Sequence, residues 1–344
     1  MNEQVAASYA RWMEHFSDVG LQADIIDAYE PYVRRLCSLN LPVIFEFDHL
    51  CSLLGRTDAY LASVINAPQR HYRVFEIPKR RGGKRTIEAP YPALLQCQQW
   101  INREILARVP VDEAAHGFVK GRSILTNASR HVGQTTVLKM DIENFFPSIS
   151  FRRVIAFFQK IGYAHNVAFY LSRICCRDDH LSQGAATSPA LANIIARVLD
   201  IRLHALARRH GLRYTRYADD LTFSGGDIGG GFIEYVSRII KEAGFQARID
   251  KTRLFRGGQK CIVAGIDVAQ GRMRVPRDYR RLLRQEVFHL ADKGLVSHTA
   301  KKKIRDPLYL DSIYGKLCFW KMVEPDCAFV LKYMPIIREM CQQG

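Results

Sequence analysis

Three acidic residues in two short apolar stretches set the chemistry open to this 344-residue chain. In Tyr214-Thr215-Arg216-Tyr217-Ala218-Asp219-Asp220-Leu221-Thr222-Phe223-Ser224, β-formers flank two adjacent carboxylates that no local salt-bridge partner explains. The pattern predicts a β-hairpin with Asp219 and Asp220 at its tip. Successive strand residues point to opposite faces, so a tight turn is what lets two neighbouring acids crowd one site. The plain alternative is a polar turn, which Asp favours in any case. A second stretch, Thr135 to Pro147, reads as a buried strand ending in Asp141. Two strands delivering Asp141 and Asp219 to one place supply the oxygen ligands that Mg²⁺ prefers. There is room in such a site for two ions clamping the attacking and leaving oxygens of a phosphoryl transfer.

The remaining chain has to position these acids and bring a substrate to them. A formal net charge of +16 argues for a polyanionic partner, nucleic acid or an anionic membrane surface. Lys251 to Arg305 alone holds 15 Lys or Arg against four Asp or Glu, so this segment is expected to touch nucleic acid. No run of about 18 apolar residues is present and the N-terminus lacks a signal pattern, which predicts a cytoplasmic protein without a membrane partner. The nine Cys are scattered with no C-x-x-C pair, supporting neither a disulfide framework nor a zinc site.

Hydrophobic periodicity predicts four helices before residue 70, at Val5 to Phe16, Ala23 to Leu36, Phe47 to Leu54 and Ala59 to Ile65, the last two a helix-turn-helix that serves packing. Strands at Tyr72 to Pro78 and Thr86 to Pro90 flank the basic loop Lys79-Arg80-Arg81-Gly82-Gly83-Lys84-Arg85. Further helices are expected at Leu94 to Val109, Phe151 to Ile161, Asn166 to Cys176, Pro189 to His210 and Phe232 to Ala243. His116 to His131 reads as a loop beside a phosphate backbone, Gly225 to Gly231 as a mobile connection, and Gly244 to Thr252 as a turn and strand. A hairpin over Lys260 to Val275 and helices from Asp278, Ser297, Ile313 and Ala328 complete the chain.

The order of the Asp141 stretch, Gln183-Gly184-Ala185-Ala186-Thr187-Ser188-Pro189 and Tyr217-Ala218-Asp219-Asp220 resembles the palm of reverse transcriptases, where an Asp run, Gln-Gly-x-x-x-Ser-Pro and Tyr-x-Asp-Asp follow one another. The likeness runs from about Tyr72 to Tyr333. Within that class, Asn127-Ala128-Ser129-Arg130-His131 matches the Asn-Ala-x-x-His signature of retron enzymes, which copy part of a structured noncoding RNA into single-stranded DNA. Those enzymes usually carry Val-Thr-Gly where this chain has Val263-Ala264-Gly265, a change that removes a hydroxyl able to bond RNA.

The resemblance implies an α/β (α+β) right-hand polymerase: a helical extension over residues 1–70, fingers over 71–135, a palm over 136–250 and a basic thumb over 251–344. It makes Asp141, Asp219 and Asp220 catalytic residues and ligands of two Mg²⁺, with Mn²⁺ as an alternative. Lys84 and Arg85 would hold the triphosphate of a deoxynucleotide, Phe146 would sit under its sugar and exclude a 2′-hydroxyl, and Gln183 would lie near nucleotide and template. Lys251 resembles the lysine that protonates departing pyrophosphate; a plain surface lysine is the other reading. Asn127, His131, Val263, Gly265, Lys301, Lys302 and Lys303 are the expected nucleic-acid contacts, against the plainer reading of His131 as a satisfied core histidine. The implied partners are a structured RNA that serves as template and primer, deoxynucleoside triphosphates, the DNA product and an effector protein encoded nearby in an antiphage defence system. The rivals are another defence-associated or intron-encoded reverse transcriptase, an RNA-directed RNA polymerase, which Phe146 disfavours, and a non-catalytic RNA-binding scaffold, which would not need the three acids.

Overall fold

A computed structural model describes residues 3–79 and 82–343 of the chain. Arg80 and Arg81 of the basic loop lie outside the described residues. By its internal contacts the chain forms two compact units that interleave along the sequence: Met1–Phe118, Ile142–Leu203 and Tyr235–Ala247 make one, and Val119–Asp141, His204–Glu234 and Arg248–Gly344 make the other.

The first unit opens with four helices, α1 (Glu3–Asp18), α2 (Ala23–Ser38), α3 (Phe47–Leu54) and α4 (Asp58–Asn66). Phe45 binds the first pair together, its ring 5.4 Å from that of Trp12 and 5.3 Å from that of Tyr29. Gly55, at φ 61°, ends α3, and the Thr57 side chain accepts from the Tyr60 amide to start α4. Strands β1 (Tyr72–Pro78) and β2 (Lys84–Pro90) pair antiparallel, with Pro78 opposite Lys84. Lys84 and Arg85 thus begin a strand rather than ending a loop. Helix α5 (Pro92–Glu104) stops five residues before the expected end, and a 3₁₀ turn over Leu106–Arg108 follows. Ile105 leaves helical geometry at φ −117°, and the tightened turn puts both Ile105 and Leu106 in the core.

In the second unit α6 (Ile124–Ser129) replaces the end of the expected loop. Ser123 caps it by accepting from the Leu125 and Thr126 amides, while Thr126 Oγ1 accepts from the Ser123 amide at 2.8 Å. That reciprocal pair is a capping box with Thr in place of the usual Glu. Strand β3 (Thr136–Asp141) follows. Helices α7 (Phe151–Ile161) and α8 (His165–Cys175) belong to the first unit and lie where periodicity predicts them. The long helix expected from Pro189 is two, α9 (Ser188–Ile195) and α10 (Arg197–Arg209). The break at Ala196 rotates the apolar stripe: Leu199 and Leu203 are buried, whereas Val198 is 59% exposed.

Strands β4 (Arg213–Tyr217) and β5 (Asp220–Gly225), helix α11 (Gly230–Glu242) and strand β6 (Arg253–Arg256) come next. The four-stranded sheet runs β4-β5-β3-β6, antiparallel throughout. β3 is central, and Val137, Leu138 and Met140, which take in both faces of the strand, are buried, as a strand covered on both faces requires. The Gly-rich stretch before α11 is anchored in its middle: Ile228 is fully buried and its carbonyl accepts from Arg256 at 3.4 Å. Where a strand was expected up to Thr252, the chain forms a single bridge at Ala247 and a 3₁₀ turn over Ile249–Lys251 before β6.

Short strands β7 (Ile262–Val263) and β8 (Ile266–Asp267) make a hairpin whose loop, Ala264 at φ 45° and Gly265 at φ 86°, is left-handed at both positions. Helix α12 (Arg277–Lys302) is interrupted at Gly294 (φ 74°, ψ 169°), which divides it as periodicity predicts. Helices α13 (Tyr309–Val323) and α14 (Ala328–Gln343) close the chain. One apolar cluster runs from Ala128 and Val137 through Val263 and Ile266 to Leu283, Ile313 and the fully buried Trp320. No helix among the described residues is long and apolar enough to cross a membrane.

Candidate active site

Asp141 is the last residue of β3 and Asp220 the first of β5, and the strand register sets them directly opposite one another. Opposed residues of an antiparallel pair share a face, so the two side chains project from the same side of the sheet. Tyr217 pairs with Asp220 to close the β4–β5 hairpin, leaving Ala218 and Asp219 as its two-residue loop. Ala218 holds φ 56°, a left-handed conformation that costs a non-Gly residue about 1 kcal/mol. This turn puts Asp219 beside its neighbour rather than on the opposite face.

Like charges opposed across a sheet destabilise it, and burial compounds the effect. Desolvation, then repulsion from Asp220 and Asp141, pushes the Asp219 carboxyl up to about 6. Asp220 is raised chiefly by burial, an effect that Lys139 and Lys251 oppose. Lys251 Nζ lies 3.0 Å from Asp141 Oδ2, and Lys139 donates to the Ile262 carbonyl at 3.0 Å. Among the described residues no three His, Cys, Asp or Glu side chains are already drawn together as a metal cage. The donor set nevertheless fits a hard divalent cation: three carboxylates at one end of a sheet, with a mutual repulsion that a dication would relieve.

His131 is fully buried, and its ring nitrogens each lie 2.7 Å from a hydroxyl, Ser224 Oγ on β5 and Thr215 Oγ1 on β4. It staples the hairpin that carries the acids, which corrects the expectation that it meets nucleic acid. Asn127 is buried as well, its Oδ1 without a hydrogen-bond partner. Replacing His131 by Ala leaves two buried hydroxyls unpaired, and we expect a loss of about 2–4 kcal/mol in urea unfolding. A nucleic-acid contact would instead show as weaker RNA binding by a variant of unchanged stability.

The segment at Gln183 is equally well held within the first unit. The Glu88 amide donates to the Gln183 carbonyl at 2.9 Å. A Cβ on Gly184, at φ 138°, would stand 2.7 Å from the Glu88 carbonyl oxygen, so only glycine fits. Glu88 is clamped in turn by Arg177 at 2.5 Å. The fully buried Gln98 donates to Tyr72 Oη (2.8 Å) and the Ile174 carbonyl (2.9 Å), and accepts from the Ala186 amide (3.0 Å).

Residues 77–286 match the reverse transcriptase (RNA-dependent DNA polymerase) family. The retron Mx162 reverse transcriptase of Myxococcus xanthus is 38% identical over 290 residues, covering 74% of this chain and 58% of that protein. The retron Mx65 reverse transcriptase of the same organism is 36% identical over 325 residues, covering 87% and 73%. The retron Ec86 reverse transcriptase of Escherichia coli is 32% identical over 260 residues, covering 74% and 81%. The chain belongs to the retron-type reverse transcriptases. Its fold class is accordingly the mixed α/β right-hand polymerase, and reverse transcriptases use divalent metal ions, the chemistry the acid cluster fits.

Other residues that the reverse transcriptase resemblance singles out are more scattered. Phe146 is half-buried in the first unit, its ring 5.6 Å from that of Phe145 and 6.3 Å from that of Phe118. Phe118, itself 55% exposed, went unnoticed in the sequence because nothing but its ring marks it. Lys84 pairs with Glu76 at 2.6 Å, both side chains largely exposed. Val263 is fully buried in the apolar cluster, so its side chain is a packing group rather than an RNA contact, while Gly265 serves the turn. Lys301 and Lys302 end α12 and Lys303 caps it; Lys302 also lies 3.8 Å from Glu286. Gln98, Glu88 and Lys139 carry no motif and were missed; a lone buried Gln looks like any polar helix residue in a sequence.

Proposed function

We propose that this protein copies part of a structured noncoding RNA into single-stranded DNA, using the RNA as template and primer, and that it serves an antiphage defence system with an effector supplied by a partner. The reading rests on one observation above others, the register that opposes Asp141 to Asp220 with Asp219 in the adjoining turn. The retron relatives support the RNA template, and the defence role is what the resemblance to retron enzymes implies. Fingers, palm and thumb are assigned to residues 71–135, 136–250 and 251–344, after the helical extension of 1–70.

In this reading Asp141, Asp219 and Asp220 hold two Mg²⁺, for which Mn²⁺ can substitute. When bound, the ions stabilise charge on the attacking and leaving oxygens. A primer hydroxyl attacks the α-phosphorus of a deoxynucleoside triphosphate, a new phosphodiester forms, and pyrophosphate leaves. Lys84 and Arg85 hold the triphosphate as point charge and planar fork. Phe146 occupies the space of a 2′-hydroxyl, and Gln183 lies against the nucleotide and template. The cations of α12, with Lys301, Lys302 and Lys303, hold the nucleic-acid backbone without reading its sequence.

Expression of the native locus in a bacterial host, followed by nucleic-acid extraction, tests this. A short single-stranded DNA of one sequence, joined to RNA through a debranching-sensitive linkage, is the expected product. Long complementary DNA, or untemplated DNA linked to protein, would instead mark another class of reverse transcriptase with the same palm chemistry.

A further inference from the structure

The 3₁₀ turn Ile249–Lys251 is tied to the acid cluster through the backbone: the Arg248 amide donates to the carbonyl of Asp141 at 2.7 Å, and the Lys251 amide donates to the Arg248 carbonyl at 3.2 Å. The turn thus begins on the main chain of the same residue whose carboxylate its side chain reaches, Nζ to Oδ2 at 3.0 Å. The two ends of that contact differ in exposure, 47% for the Lys251 side chain and 12% for that of Asp141. The carboxylate is fixed by its strand, whereas the ammonium sits on a flexible stem with a way out to water.

We propose that Lys251 is a built-in stand-in for the divalent cation, neutralising the acid cluster in the metal-free enzyme and giving up Asp141 when metal arrives. The inference rests on reading the three acids as metal ligands. Three carboxylates gathered at one sheet end repel one another, and a fold that must exist before metal loading needs a cation there. Lys251 meets that need: its ammonium lies 3.0 Å from Asp141 Oδ2, and Asp141 stands directly opposite Asp220 in the sheet. Lys139 is placed differently, its Nζ bonded to the Ile262 carbonyl. An ammonium at hydrogen-bonding distance from Asp141 Oδ2 and a dication bound to the same carboxylate repel one another, so the two compete for Asp141. A half-exposed ion pair is weak enough for a dication to break, so the device lowers metal affinity modestly without blocking it. The apparent affinity falls by the fraction of molecules in which Asp141 is already free.

Mn²⁺ binding to the full chain freed of nucleic acid, followed by the loss of the free-ion electron paramagnetic signal, tests the proposal. The parent should show a site that Asp219→Asn lacks. Lys251→Gln should bind Mn²⁺ at that site about fivefold more tightly, the gain from removing a competing pair of this strength. The same variant should melt at a lower temperature without metal, while Lys251→Arg keeps the parent's values in both assays. A purely structural lysine would lower stability without tightening metal binding, so equal or weaker affinity in Lys251→Gln overturns the proposal. A parent without an Asp219-dependent Mn²⁺ site overturns the metal reading itself and this inference with it. A second measurement needs no loss of charge: after isotopic methylation of the lysines, the resonance missing from Lys251→Arg should shift when Mg²⁺ is added to the parent. If it stays in place, the ammonium does not leave and the proposal fails.

Discussion

Asp219→Asn is expected to abolish DNA synthesis and, at the same time, to make the metal-free protein more stable at neutral pH. Both effects follow from the carboxylate's place in the two-residue loop beside Asp220 and opposite Asp141. Loss of one ligand oxygen and its charge should lower primer extension by at least about 10³-fold, since metal and acids together stabilise the transferring phosphoryl group. For stability the sign runs the other way. The folded-state value of about 6 lies above the ordinary carboxylate value of 3.8. Between those two pH values the folded protein binds more protons than the unfolded one, so its stability falls as pH rises through that window. Above it, the whole cost of keeping Asp219 charged is present, on the order of 3 kcal/mol for the rise from 3.8 to about 6 at about 1.4 kcal/mol per pH unit. Asn carries no charge and escapes that cost. Melting in the presence of a chelator should therefore favour Asp219→Asn at pH 7.5 and show a much smaller difference at pH 4.5. Extension within tenfold of the parent would falsify the palm assignment, and an equal gain at both pH values would remove the electrostatic explanation.

This opposition between stability and chemistry is also what made the site legible. A strand of buried apolar residues ending in Asp141, and two acids at a hairpin tip, set charges in apolar stretches with no partner nearby in the sequence; sequences keep such features where function needs them. Periodicity likewise captured the helices that carry a simple apolar stripe, such as α7 and the interrupted α12, where Gly294 marks the kink. It failed where tertiary packing decided the outcome. Nothing at Ala196 is a helix breaker, so one long helix was expected where two exist. Ile105 is an ordinary helix residue that leaves the helix to bury itself. His131 and Val263 stand in stretches that carry the family signature, yet their side chains are occupied by Ser224 and Thr215 in one case and by the apolar cluster in the other. A signature can record what builds a surface as readily as what lies on it. The hold on the Gln183–Ala186 segment, by Glu88 at Gln183 and by Gln98 at Ala186, joins residues far apart in sequence, and no local pattern announces it.

Phe146→Val should admit ribonucleotides, lowering the preference for deoxynucleotides by on the order of 10²-fold, because in the proposed function Phe146 discriminates by a steric block rather than an attraction. The ring stands in a tight turn, in which the Ile149 amide donates to the Phe146 carbonyl at 3.0 Å and the Ser148 amide to the Asn144 carbonyl at 2.8 Å. Backbone bonds of this kind fix the position of the Cβ whatever side chain it bears, so a smaller residue opens space without moving the turn. The ring is half-buried, and its loss should cost less than the roughly 3–5 kcal/mol of truncating a fully buried Phe. The fold therefore survives to be assayed. Phe145 beside it is buried against Phe245, with centroids 5.8 Å apart, and removing that ring should damage stability without changing sugar selection. Phe118 supplies the intermediate case: it backs Phe146 from an exposed position, so Phe118→Ala loosens the block and should relax selection by less than Phe146→Val does. The measurement is kcat/KM for single ribo- and deoxynucleotide additions on one template by the parent and the three variants. If Phe146→Val extends primers with the parent's ratio, the ring is a packing group like its neighbour, and sugar selection has to be sought elsewhere in the chain.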